Sequence, residues 1–166
     1  MKMICREVRN MIKAVRVDHR LVHGQVAFTW THYLAVSRII VIDDKAANDE
    51  FQKMALNMSK PAGVKLNIFT VEKALSKMSK VEELKDTIFI IFGCTKDAAR
   101  FIQQYPKIKE INYGGIAKKE GSKLYSDVVY LNDEEVEDSK KIMDCGTHIF
   151  MQQLPSTKRE ELKFEK

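Results

Sequence analysis

No apolar run in this chain approaches the roughly 20 residues that a membrane-spanning helix requires. The opening "MKMICREVRN" carries basic residues but no continuous apolar stretch, so it does not fit a secretory signal. A cytoplasmic location is the expectation. Cysteine is scarce: Cys5, Cys94 and Cys145 lie far apart and form no CxxC pair. That argues against a disulfide framework or a zinc site, and Cys94 and Cys145 read as buried, inert thiols. Nucleotide-cofactor signatures are missing too, since no GxGxxG follows the first strand candidate and no GxxxxGKS/T occurs anywhere. Internal repeats, low-complexity tracts and linkers are also absent.

What remains is an ordinary globular composition, 45% hydrophobic and 31% charged over 166 residues, enough for one domain with its own core. The ordered pattern begins at Met11, which leaves residues 1–10 as an extension and 11–166 as a single domain. The formal charge of +5 comes from lysines dispersed along the chain, with no basic block and no aromatic-and-arginine motif. This reads as a solvated exterior rather than a nucleic-acid surface.

Short β-branched runs alternate with helix-like segments. Strands are expected at Ile12–Val17, Arg38–Asp43, Lys65–Thr70, Thr87–Phe92, Glu110–Tyr113, Asp127–Leu131 and His148–Gln152. "RIIVID" and "TIFIIF" are nearly continuous apolar runs, as in strands covered on both faces. Helices fill the gaps. In 46–58, Phe51, Met54, Ala55 and Met58 fall on one helical face, and in 96–105 Ala98, Phe101, Ile102 and Tyr105 repeat that spacing behind a capping Thr95. In 133–145, Asn132 and Glu135 form a cap-like pair and Gly146 a stop. "STKREELKFEK" reads as a charged, exposed terminal helix. The pattern predicts a doubly wound α/β fold, a mostly parallel sheet of six or seven strands with helices on both faces.

In such folds sites form beyond the carboxyl ends of strands, where strand order reverses. The first strand ends in "DHRLVHG", residues 18–24, and a helix begins near Gly24 or Gln25. His23 then stands before a helix N-terminus, whose free amides and dipole favour an anion. Arg20 offers a planar fork for phosphoryl oxygens, Asp18 can orient an imidazole or hold Arg20, and Gly24 lets the backbone approach a tetrahedral anion. A histidine side chain ordinarily titrates at about 6.5, so a good share is neutral and nucleophilic in a cell. Together these residues make a workable phosphohistidine site. His19 and His23 are four apart, but the segment is a loop without the HExxH glutamate, so no metal is expected. His32 and His148 carry no role. "DD" at 43–44 either approaches the site or caps a helix, and the glycine pair of "NYGGIA" is either a tight turn or a ligand contact.

"VRVDHRLVHGQV", "RIIVIDDKAANDEFQKMAL", "PAGVKLNIFTVEKAL", "INYGGIA" and "FMQQLP" follow one another from about Ile12 to Lys158. In this order they resemble the IIB component of the mannose–fructose–sorbose family of the bacterial sugar phosphotransferase system. The resemblance implies a protein-N(pros)-phosphohistidine–sugar phosphotransferase that needs no cofactor. Its loop histidine, here His23, takes a phosphoryl group on Nδ1 from phosphorylated IIA. The group then goes to a sugar held by the membrane components IIC and IID, with which the protein associates peripherally. Asp18, Arg20, Gly24 and Gln25 match the family's loop. Asp44, Lys96, Asn112, Gly114 and Gly115 are second-tier candidates near it. His19 stands where the family is variable and reads as a neighbour. The resemblance allows homo-oligomers and leaves the sugar open, a hexose or an amino sugar. Two other readings are a non-catalytic docking module of the same fold and a small-molecule enzyme with a pocket lined by Asp43, Lys96 and Asn112.

Overall fold

The first strand candidate is Ile12–Asp18 (β1) in the computed structural model, which describes residues 11–165. The expected extension, residues 1–10, lies outside them. The chain continues through α1 (Gly24–Leu34), β2 (Arg38–Ile42), α2 (Asp44–Ala47), α3 (Glu50–Ser59), β3 (Lys65–Phe69), α4 (Val71–Val81), β4 (Ile88–Phe92) and α5 (Thr95–Gln104). It ends with β5 (Glu110–Gly115), β6 (Lys123–Ser126), β7 (Val129–Leu131), α6 (Asp133–Asp144), β8 (His148–Met151) and β9 (Glu160–Glu161).

Seven strands form one sheet in the order β3-β2-β4-β1-β5-β8-β9, all parallel except the last pairing. The apolar runs sit where both faces are covered. β2 and β4 alternate their side chains between two cores. Ile39, Val41, Phe89 and Ile91 pack with Ala27 and Trp30 of α1 and Leu56 of α3. Ile40, Ile42, Ile88, Ile90 and Phe92 pack with α4, α5 and α6. Ala98, Phe101 and Ile102 are fully buried, so the α5 face lies where its spacing places it. The doubly wound fold is as expected, and none of the described helices is long and apolar enough to cross a membrane.

Several local expectations are overturned. The single helix over 46–58 is two, because Asp49 caps a new start and its carboxylate accepts from the Gln52 N–H at 3.1 Å. The second piece anchors through Leu56, which turns Phe51, Met54 and Met58 outward, at 81%, 62% and 81% exposure. Thr95 is the first residue of α5 rather than its cap, and its hydroxyl donates to Asp138 instead, at 2.8 Å. The strand at 127–131 shortens to β7 and pairs antiparallel with β6 in a separate hairpin. The terminal helix is not formed: β9 pairs with the free edge of β8, Leu162 is buried, and the Phe164 ring meets Tyr125 at 5.7 Å. An edge strand's open N–H and C=O groups outweigh the helix preference of a few charged residues. The same pairing gives His148 a partner in Glu161, while His32 stacks on Phe28. By contrast, the Asn132–Glu135 capping box and the stop at Gly146 form as read.

Cys145 is half-buried, and Cys94 reaches the surface rather than lying in the core. Loss of water around the Cys94 thiol, with the Asp97 and Asp43 carboxylates, pushes it up to about 11. It is therefore kept protonated.

Candidate functional site

β1 lies between β4 and β5, and its chain leaves to α1 on one face, while β4 and β5 lead to helices on the other. Neighbouring strands that send their chains to opposite faces open a crevice beyond their carboxyl ends. Residues 19–23 span that place. The His19 N–H donates to the Gly115 carbonyl at 2.9 Å, and the Leu21 N–H donates to the Asp18 carbonyl at 2.9 Å. Leu21 takes a φ of +58°, a left-handed backbone unusual for leucine, while its side chain is buried. The turn is thus held by packing.

Asp18 organises the loop from the last position of β1, at 1% exposure. One carboxylate oxygen accepts from Arg16 Nη2 at 3.1 Å and lies 3.1 Å from His23 Nε2. The other accepts the Arg20 backbone N–H at 3.0 Å. Burial by itself raises Asp18, but the Arg16 guanidinium, the Arg20 amide and the His23 ring together hold it below its ordinary value. It is ionised and accepts only, so Nε2 of a neutral His23 carries the hydrogen. The Nδ1 lone pair is left over as a nucleophile.

His23 is the N-cap of α1 but makes no side-chain capping bond, because its ring is committed to Asp18. It is 21% exposed, and Arg20 beside it is 48% exposed with Nε 3.9 Å from Asp18. Gly24 opens the helix at φ +34° with no atom within 4 Å of where a Cβ would stand, so a side chain there meets strain rather than a clash. Gln25 is exposed on the same turn. An imidazole, an exposed guanidinium and the first amides of a helix thus share one accessible corner. His19 is more committed: its Nδ1 faces the Gly115 carbonyl at 3.1 Å.

The second-tier candidates divide. Gly114 and Gly115 belong to β5 itself, not to a turn. A Cβ on Gly114 would stand 1.8 Å from Arg16 Cζ, and one on Gly115 would stand 3.2 Å from Asp18 Oδ1. The pair is space for the Arg16–Asp18 unit. Asn112 is buried and holds the Gln152 backbone with both amide atoms, at 3.0 Å each. It supports the site without lining it. Asp43 caps α2, and Asp44 is engaged by Val71 and Arg100. Lys96 lines a surface depression with Cys94 and Asp138, whereas Asn112 lines a different cavity. The pocket expected from Asp43, Lys96 and Asn112 is therefore not formed.

Arg16 escaped the sequence reading. It is 2% exposed and bonds Asp18 and the Gln152 carbonyl, with Trp30 stacked 5.6 Å away. The only signal was a charge two residues before Asp18, hence on the same face of a strand. Burial pulls its guanidinium below the ordinary value, and Asp18 opposes that.

Comparison with known proteins agrees with this architecture. The family described as "PTS system sorbose subfamily IIB component" matches residues 12–164. The N-acetylgalactosamine-specific phosphotransferase enzyme IIB component 1 of Escherichia coli K12 is 30% identical, over 91% of this chain and 96% of that protein. The mannose-specific EIIAB component of the same strain is 31% identical over 84% of this chain, but over 43% of its own length. Among solved structures, the IIB domain of the Klebsiella pneumoniae sorbose permease superposes with a TM-score of 0.84 at 27% identity, covering 90% of this chain and 92% of that one. The crystal structure of the Escherichia coli N-acetylgalactosamine IIB component gives 0.86 at 30%, covering 92% and 99%. With a family match that spans nearly every described residue, the chain belongs to the sorbose subfamily of phosphotransferase-system IIB components and takes part in sugar phosphotransfer.

Proposed function

We propose that His23 is the phosphoryl carrier of this IIB component. Its Nδ1 attacks the phosphorus presented by a phosphorylated IIA partner; the N–P bond forms as the donor's bond to phosphorus breaks. The ring then carries substituents on both nitrogens and is an imidazolium, whose charge the buried Asp18 carboxylate balances. Arg20 and the first amides of α1 bind the phosphoryl oxygens. In the second step a sugar hydroxyl, held by the membrane components IIC and IID at the cytoplasmic side, attacks phosphorus and gives up its proton to water. The N–P bond breaks and His23 returns to its neutral form. This is a protein-N(pros)-phosphohistidine–sugar phosphotransferase acting on a hexose or amino sugar, and it needs no metal or organic cofactor because the phosphoryl group arrives activated.

The observation that carries this reading is the 3.1 Å contact of His23 Nε2 with a buried carboxylate, which fixes the tautomer and leaves Nδ1 free on an accessible loop. Labelled phospho-IIA should place an acid-labile phosphate on the protein, on the pros nitrogen of His23. Label that survives His23→Ala would overturn the assignment. IIA binding without any transfer would favour the docking-module reading.

A further inference from the structure

On the α1 face of the sheet, beneath the site, lies a cavity of about 320 Å³. Buried Arg16, Asn112, Trp30 and Phe150 line its interior, and exposed Lys13 and Lys109 stand on its open side. We propose that this cavity binds a small organic acid, an anionic head on a flat or apolar body, and that occupancy is transmitted to His23 through Arg16.

Size, lining and charge argue together. The volume falls at the small end of ordinary ligand sites, which are mostly apolar with a few convergent polar groups. The cations there exceed their counter-ions: Arg159 is answered by Glu110 and Glu161, and Lys107 by Glu82. Among the described residues neither Lys13 nor Lys109 has an ion pair, which leaves two positive charges unbalanced at the opening. The aromatic walls suit a flat body, and the Arg159 guanidinium already stacks on Phe150 at 3.6 Å. Arg16 Nε is the one buried side-chain polar atom among the described residues that has no hydrogen-bond partner. An acid brings the acceptor it lacks.

The link to the site is short. Arg16 donates through Nη1 to the Gln152 carbonyl at 3.0 Å and through Nη2 to Asp18 at 3.1 Å, and Asp18 holds His23. Trp30, on the cavity wall, donates to the neighbouring Gln153 carbonyl at 2.8 Å. A guest that moves Arg16 therefore moves the carboxylate that sets the His23 tautomer. This second half rests on the phosphohistidine reading; the binding half does not.

The test titrates the full chain with 1-anilinonaphthalene-8-sulfonate, an aromatic acid that brightens in apolar surroundings, and with its uncharged analogue N-phenyl-1-naphthylamine. The sulfonate should saturate a single site, with the uncharged dye about tenfold weaker or worse. Lys13→Glu with Lys109→Glu should weaken the sulfonate by about tenfold, and Ala14→Phe, which fills the cavity, should abolish binding. Nitrogen resonances of the His23 ring should shift on titration and stay still in Ala14→Phe. The charge-reversal pair changes exposed residues only, so it decides the matter if Ala14→Phe does not fold. No saturation, equal binding of both dyes, or loss of binding in Phe51→Ser (the dye then sits on the exposed α3 stripe) would overturn the site. Saturation with an unmoved His23 would overturn the coupling. No phosphoryl donor takes part, so failure here is distinct from failure of the carrier assignment.

Discussion

Two aspartate–arginine clusters stand at the carboxyl end of the sheet, and they do different things. In one, buried Asp97 accepts from the Asp44 N–H at 2.9 Å and from Arg100 at 3.2 Å. Asp44 accepts from the Val71 N–H at 2.8 Å and from Arg100 at 2.5 Å. The partners are helix-start amides and a single arginine, so the result is a knot that ties α2, α4 and α5 together. In the other, Asp18 also satisfies an arginine and an amide, but its remaining partner is the imidazole of His23, held through Nε2 and 21% exposed. On the phosphohistidine reading proposed above, chemistry resides in what a cluster leaves free. Each carboxylate accepts from an arginine and from a backbone amide.

The sharpest separation comes from removing that free atom. His23→Ala should lose all phosphate label from phospho-IIA while His19→Ala retains it, and phosphorus NMR should show pros rather than tele phosphohistidine. Tele product would overturn the assignment to Nδ1, and tele product lost in His19→Ala would shift the carrier to His19, whose Nδ1 faces the Gly115 carbonyl.

Next in size, Asp18→Asn should slow transfer by about 10²–10³-fold, as the loss of an orienting and charge-balancing group does in other sites. Asp97→Asn should leave transfer within about twofold, because substitutions away from a site seldom reach it. Equal slowing in both would break the comparison. Asp18→Asn also leaves Arg16 buried without its counter-charge, at a cost of about 3–5 kcal/mol. Urea titration measures that cost, and transfer is read where circular dichroism shows a folded chain.

Arg20→Lys keeps the charge and loses the fork, which should slow transfer by about 10–10³-fold with little change in stability. Unchanged transfer would mean that Arg20 does not hold the phosphoryl group.

The smallest effect is a difference in sign with pH. Asp18 is held below its ordinary value, so its contribution to stability is present above the unfolded-state value and drains away as pH falls through the lowered one. Asp97 is raised, by burial and then by the Asp44 and Asp43 carboxylates, against the Asp44 amide and Arg100. The folded chain keeps a proton there that the unfolded chain releases. Its contribution is therefore present at low pH and lost as pH rises from the ordinary value through the raised one. Urea midpoints between about pH 3 and 7 should show Asp97→Asn removing a fall with rising pH, and Asp18→Asn removing a rise.

How much was legible depends on the range of the interaction. β2 and β4 announced themselves because fully covered strands need continuous apolar residues, and the Asn132–Glu135 box is closed within four residues. The β1–α1 loop was legible because its parts are contiguous: a carboxylate, a guanidinium, an imidazole and a helix start. The α3 and α5 faces show the limit. Both carry the same spacing, yet Phe101 is buried and Phe51 is 81% exposed. Periodicity states that a helix has an apolar face, not what lies opposite it. Phe101→Ala should therefore cost about 3–5 kcal/mol and Phe51→Ala less than about 0.5.

The sequence by itself determined the alternation of strands and helices, the family, and the loop that carries His23, since each is written in neighbouring residues. The resemblance named Nδ1, and only the tertiary structure gave that choice a physical reason, the contact of the other ring nitrogen with Asp18. The choice depends on Asp18 staying charged beneath the surface, hence on Arg16, on the bare flank that Gly114 leaves for it, and on a carbonyl at Gln152, 136 positions away. Charges that must be balanced inside a protein find their partners through space, and chain order does not record that distance.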